Sequence, residues 1–209
     1  MADLAKLRDT VMNGDDKGAA AAAKEALAAG IDPVVIVTEG VTPAMAEVGK
    51  KFECGEAFVP ELLISARATK AVFQILRPHL AKQGAQPVGR VVVGTVKGDL
   101  HDIGKNLVAA MLEGGGFEVT DLGVNITPEK FVETARAKNA QVIGLSALLT
   151  TTMPAMKATV DAVKKAALPI KVMIGGAPVT HSFAEEIGAD GYGETAASAV
   201  GVARKLIGK

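Results

Sequence analysis

The sequence predicts two domains of different class. Residues 1–85 read as an all-α four-helix bundle, and residues 86–209 as an α/β domain built on a five-stranded parallel sheet. Three observations predict this division. The first 85 residues carry their apolar side chains at helical spacing, as in Leu62, Leu63, Ala66, Phe73 and Leu76. Residues 81–87 form a polar run containing Gly84 and Pro87, the composition of a linker. Beyond it, short apolar runs alternate with helical stretches, the signature of βα units whose helices cover both faces of a sheet.

Each element follows from local chemistry. Residues 4–12 make a short amphipathic helix. Asn13-Gly14-Asp15-Asp16 stops it and caps a second helix, which carries the alanine run 19–23 and ends at Gly30. Asp32-Pro33 supplies an N-cap followed by proline at the first helical position. The third helix is expected over about 34–51, broken near Gly40. The fourth follows Pro60 and is expected to end or kink at Pro78, which cannot donate to the preceding turn. Strands are expected at 90–96, 117–122, 141–145, 170–174 and 190–192. Helices fill the gaps at about 102–113, 127–138, 153–166, 179–187 and 194–207. Gly114–Gly116 follows a helix and precedes a strand, so it is a helix stop and not a phosphate loop. The pattern is the flavodoxin-like (Rossmann-like) doubly wound arrangement, which binds ligands beyond the carboxyl ends of its strands.

Composition excludes several functions. Lys plus Arg and Asp plus Glu are 23 each, so no charge bias points to nucleic acid or a membrane surface. Aromatics make up 3% of the chain, too few to stack single-stranded bases. One cysteine, Cys54, rules out an internal disulfide or an all-cysteine metal site, and is expected to be a small buried apolar residue or a bystander and not a ligand. The start, Met1-Ala2-Asp3-Leu4-Ala5-Lys6, has no apolar h-region, and no apolar stretch is long enough to span a bilayer. A cytoplasmic protein is expected. His79 and His181 are expected to be exposed helix residues.

The loops at the carboxyl ends of strands one, three, four and five share one rim. Loop one carries Asp99, His101, Asp102 and Gly104. Loop three carries Ser146 to Thr152. Loop four carries Gly175, Gly176 and Ala177, and loop five carries Gly191 and Tyr192. Aspartate beside histidine is a common way to fix an imidazole tautomer and raise its basicity as a metal ligand. Glycine and alanine on the rim let a bulky flat group approach the backbone.

Asp99-x-His101-x-x-Gly104, Ser146-x-Leu148 and Gly175-Gly176, with His-Asp-Ile-Gly-Lys-Asn at 101–106, resemble the cobalamin-binding domains of methionine synthase and of corrinoid methyl-carrier proteins. Val48-Gly49-x-x-Phe52-x-x-Gly55-Glu56-x-Phe58-Val59-Pro60-Glu61-Leu62 resembles the helical cap of the same family. The resemblance covers nearly the whole chain. It implies a corrinoid cofactor: cobalamin, in methylcobalamin and cob(I)alamin forms, or a relative of it. It makes His101 the lower cobalt ligand in a base-off, His-on mode, Asp99 its hydrogen-bond partner, and Thr152 the hydroxyl that continues the relay. Ser146 and Thr150 would meet the buried nucleotide tail, and Gly175, Gly176 and Ala177 would give it room. Phe52, Val59 and Leu62 would shield the upper face.

The function so implied is one-carbon transfer in a three-component methyltransferase system. A substrate-specific methyltransferase would load the methyl group. A corrinoid:pterin or corrinoid:thiol methyltransferase would remove it, and a reductive activator would restore the cofactor. The chain would be a carrier with no catalysis of its own. The alternative is a cobalamin-dependent sensor, which needs a DNA-binding helix with a basic face. A carbon-skeleton mutase subunit would lack the helical cap. A flavin electron carrier would need aromatic residues to stack the ring, and Tyr192 is the only candidate on the rim.

Overall fold

The structure, a computed structural model, describes residues 4–209; Met1, Ala2 and Asp3 of the expected leaderless start lie outside the described residues. The chain forms two compact units and passes from the first to the second at Pro87–Val88.

The first unit is helical. Helix α1 is Leu4–Met12, α2 is Asp16–Ala28, α3 is the single turn Pro33–Val35, α4 is Thr42–Glu53, and α5 is Val59–Lys82. The Asp15 carboxylate accepts from Gly18 N–H at 2.9 Å, and Asp32 accepts from Val34 N–H at 2.8 Å, so two starts are capped by the aspartates the sequence offers. Ala19, Ala22, Ala23 and Ala26 of α2 are buried, and α2 packs against α5. Small side chains on one stripe let two helix axes come close. Ser65 of α5 donates to the Met12 carbonyl at 3.0 Å, satisfying an orphan acceptor at the end of α1.

Three expectations are corrected here. The third helix is not broken at Gly40: α3 and α4 are joined by a π-turn, Ile36–Val41, in which Thr42 N–H donates to Val37 five residues back. Gly40 sits inside it, where an added Cβ would come within 2.8 Å of the Leu7 side chain. Pro78 does not end α5, which runs on to Lys82. The carbonyl that Pro78 leaves without a donor belongs to Gln74, which is exposed, so water can take that bond. Cys54 is exposed at the end of α4, which removes the buried apolar residue from its two expected roles.

The second unit is a parallel sheet with strands β1 (Arg90–Thr95), β2 (Glu118–Asp121), β3 (Val142–Ser146), β4 (Lys171–Gly175) and β5 (Gly191–Gly193). Their order is β2-β1-β3-β4-β5, the flavodoxin-like order. Helices α6 (Ile103–Gly114), α7 (Pro128–Ala137), α8 (Met153–Lys165), α9 (His181–Ile187) and α10 (Ser198–Leu206) follow the strands in turn. Alternation along β1 shows how one apolar run serves two cores. Val92 packs with Phe131, Ile143 and Met156, while Val91 and Val93 pack with Leu112, Phe117 and Met173 on the opposite face. Helix α10 starts four residues later than expected. Thr195 and Ser198 hydrogen-bond each other's backbone N–H groups at 2.9 Å, which holds 195–198 as a turn before the helix.

Candidate functional site

Strand register builds the site. Thr95 pairs with Ser146, Ser146 with Gly175, and Gly175 with Gly193, so four strands end level and their loops emerge on one rim. The loop after β1 turns back over that rim and delivers Asp99 and His101. The side chain of Asp99 is 0% exposed and that of His101 is 50% exposed.

Asp99 is the hub. Its Oδ1 accepts from His101 N–H at 3.0 Å and lies 2.7 Å from His101 Nδ1. Its Oδ2 accepts from Leu148 N–H at 2.8 Å and from Leu149 N–H at 3.4 Å, both on the loop after β3. Thr152 Oγ1 lies 2.8 Å from the same oxygen and also 2.8 Å from the Leu149 carbonyl. One hydroxyl hydrogen serves one of these, and an ionised carboxylate is the stronger acceptor. Burial pushes the Asp99 carboxyl up. The bonds from His101 N–H, Leu148 N–H, the Thr152 hydroxyl and the His101 ring outweigh it and hold the group well below the usual carboxylate range. An ionised carboxylate only accepts, so Nδ1 carries the hydrogen and the free lone pair of the ring lies on Nε2. That is the tautomer a metal ligand needs. Thr95 Oγ1, fully buried, donates to the His101 carbonyl at 2.8 Å and fixes the backbone on the other side.

The sequence-predicted residues fall into three groups. Asp99, His101, Leu148 and Thr152 are joined directly, across a separation of 53 residues. Ser146, Gly175, Gly176 and Ala177 lie beside them. Ala147 N–H donates to the Gly175 carbonyl at 3.3 Å, and a Cβ on Gly176, whose φ is +134°, would collide with the Ala147 carbonyl. Thr150 is exposed on the same loop. Asp102 is exposed and accepts from the Asn106 amide at 3.2 Å, and Gly104 opens α6 with nothing within 4 Å of where a Cβ would stand. The third group is occupied by the fold itself. Gly191 makes room for Val202, 2.7 Å from an added Cβ, and Tyr192 packs on the sheet core with its ring edge-on to His181 at 6.3 Å. In the helical unit, Phe52 and Val59 are half-buried and Leu62 is fully buried.

Sequence reasoning missed two kinds of residue. Leu100 and Ile103 flank His101 and are 71% and 67% exposed, and Leu149 is exposed beside Leu148. Apolar side chains in an otherwise polar loop were a readable signal. Exposed apolar clusters rimmed by polar groups mark binding surfaces. Thr95 and Asn125 act on backbone atoms and Lys105 is buried, so none of the three left such a signal.

The arrangement fits a flat, partly apolar metal complex: one imidazole with its far nitrogen free, a buried anion behind it, and an apolar collar around it. Two family models, each described as a B12 binding domain, match residues 89–201 and 4–77. The trimethylamine corrinoid protein 1 of Methanosarcina mazei is 44% identical over 201 residues, covering 94% of this chain and 93% of that protein. A crystal structure of a cobalamin-binding protein from Desulfitobacterium hafniense matches with a TM-score of 0.79 at 32% identity and covers 99% of each chain. The methanol:cobalamin methyltransferase complex of Methanosarcina barkeri matches with a TM-score of 0.86 at 28% identity, over 99% of this chain and 80% of that one.

Proposed function

We propose, from the premise that this chain belongs to the family of B12-binding corrinoid proteins, that it carries a methyl group between two methyltransferases, holding its corrinoid base-off with His101 as the lower ligand. The observation that carries the reading is the buried Asp99 carboxylate, tied to His101 Nδ1 at 2.7 Å and to Thr152 at 2.8 Å. Relatives support the carrier role. One is a trimethylamine corrinoid protein, and another matching structure is a methanol:cobalamin methyltransferase complex.

When bound, the corrinoid supplies a cobalt centre that accepts and gives up a methyl group. His101 offers Nε2 to it, and Asp99 keeps the ring in the one tautomer and orientation that does so. The Asp99 carboxylate lies directly against the ring, so the imidazole is held by an anion already in place. Thr152 trades its hydrogen between Asp99 Oδ2 and the Leu149 carbonyl, so the carboxylate can match a stronger or weaker demand from the ring. Ser146, Thr150 and the small residues Gly175, Gly176 and Ala177 would hold the nucleotide tail. Phe52 and Val59, both half-buried, would shield the methyl face, with the fully buried Leu62 behind them. A substrate-specific methyltransferase would load the carrier, a pterin- or thiol-directed one would unload it, and a reductive activator would rescue it from oxidation.

Mixing the purified protein with hydroxocobalamin, desalting it and recording its ultraviolet–visible spectrum tests the reading. Corrin bands should stay with the protein in a one-to-one ratio, and His101→Ala should alter their positions or lose them. An unaltered spectrum in His101→Ala would remove the histidine from the lower position.

The apolar collar gives a separate prediction. Changing Leu100 and Ile103 together to Gln should leave thermal stability within a few degrees, because exposed positions change it by about 0.5 kcal/mol or less. Retention of hydroxocobalamin should weaken by about tenfold or more, since burying each side chain is worth roughly 1.5–3 kcal/mol. Equal retention in the double variant would exclude the collar from the cofactor surface.

A further inference from the structure

We infer that the loop after β2 positions the histidine loop through Asn125 and through an ion pair between Asp121 and the buried Lys105. The inference deepens the proposed function, because it concerns the same loop.

Two independent pins are present. The first is Asn125, held at φ +56°, a left-handed conformation that costs a residue with a Cβ unless something fixes it. Its backbone N–H donates to the Asp99 carbonyl at 3.0 Å, and its side-chain oxygen accepts from Gly98 N–H at 2.8 Å. One residue thus grips two peptide units, 97–98 and 99–100, on the approach to His101. Asparagine tolerates this backbone better than most residues and brings the acceptor with it.

The second pin starts at Lys105, in the first turn of α6, with a side chain 3% exposed. Its ammonium contacts Asp121 Oδ2 and Asn106 Oδ1. The other oxygen of Asp121 accepts from Gly123 N–H at 2.8 Å. The Gly123 carbonyl accepts from Thr95 N–H at 2.9 Å, and Thr95 Oγ1 holds the His101 carbonyl at 2.8 Å. A continuous path of hydrogen bonds therefore runs from Lys105 through the β2 loop to the backbone of the ligand. A cation at a helix start opposes the helix dipole, and a buried ammonium loses its hydration. An apolar side chain of the same length would serve stability as well. What the ion pair adds is a fixed distance between α6 and the end of β2, an edge strand whose loop has no strand on its outer side.

The test uses the full chain without cofactor and then with hydroxocobalamin. Asn125→Gly keeps the backbone conformation and removes the acceptor, Lys105→Met keeps the stem and removes the charge, and Asn125→Asp restores an acceptor. Amide hydrogen exchange at residues 98–101 is expected to speed up by about tenfold in Asn125→Gly and Lys105→Met while the core of β3 keeps its protection. In the loaded protein, the same two variants should shift the corrin bands toward those of His101→Ala. Asn125→Asp should return both readouts to wild type. Wild-type exchange at 98–101 in either of the first two variants overturns the inference. So does a loss of protection spread equally over β3, which marks global destabilisation. If Lys105→Met does not fold, Asp121→Asn takes its place with the same expected readout. Exchange in the cofactor-free chain decides the positioning role even if wild type retains no corrinoid, an outcome that would sink the proposed function alone.

Discussion

Asp99→Ala is expected to be the most damaging single change in the α/β unit. Five donors converge on that carboxylate: the His101 and Leu148 N–H groups, the longer Leu149 N–H, the Thr152 hydroxyl and the His101 ring. Alanine satisfies none of them. An unpaired buried donor costs about 1–3 kcal/mol, so the loss should be on the order of 5 kcal/mol, comparable to the whole stability of many domains. Asp99→Asn should retain part of this, because one amide oxygen still accepts. Its NH2 group, however, faces donors whichever way it turns. Urea unfolding followed by circular dichroism measures both variants. A midpoint for Asp99→Ala within error of wild type would contradict the hub.

The pH dependence of that gap has a definite sign. The folded-state carboxyl is held below its unfolded value, so its contribution is present above the unfolded value and is lost as pH falls through the folded one. The lead of wild type over Asp99→Asn should therefore be full at pH 7. It should begin to shrink near the ordinary aspartate value of about 3.9 and be smaller at pH 3. A lead that grows in acid would show that Asp99 is not the anion the geometry requires.

The second large effect is expected from Gly176→Ala. The φ of +134° at Gly176 is open in practice to glycine alone, and the added methyl group would strike the Ala147 carbonyl. The loops after β3 and β4 would have to part. Leu148, next to Ala147, donates to Asp99, so the separation should also loosen the carboxylate hub. A cost of about 3 kcal/mol is expected, or a melting temperature lower by roughly 10 °C for a chain of this size. Gly104→Ala is the internal control. It is helical and meets nothing within 4 Å, so it should be neutral or slightly stabilising. Equal melting temperatures for the two variants would mean that the contact between the loops gives way without cost.

Much of this fold was legible because its signals are local. The Val91–Val93 run, the aspartate caps at 15 and 32, and the glycines at strand ends each act within a few residues. The Asp99–His101 pair was legible for the same reason, being two residues apart. Thr152 became visible only by resemblance, since nothing in the local sequence ties it to a carboxylate 53 positions earlier. Asn125 and Thr95 escaped notice because they act on backbone atoms, which every residue has. Lys105 escaped because lysine is ordinarily exposed, and only packing reveals one that is not. Pro78 misled in the opposite direction. A proline in the sequence does not end a helix where water can replace the missing donor.

The π-turn at Ile36–Val41 bears on how this chain should be compared with others. A π-turn is an α-helix with one residue too many, retained without unwinding. Removing one residue would let the helix run straight through from Pro33 to Glu53. Each residue advances a helix by about 100°, and the π-turn absorbs one extra residue, so a deletion inside 36–41 leaves the stripe Ala44, Met45, Val48 in phase while a deletion elsewhere would swing it away from its packing. Homologues one residue shorter in this stretch should therefore carry their gap inside 36–41. Alignments that place it elsewhere would equate residues on different faces of the helix.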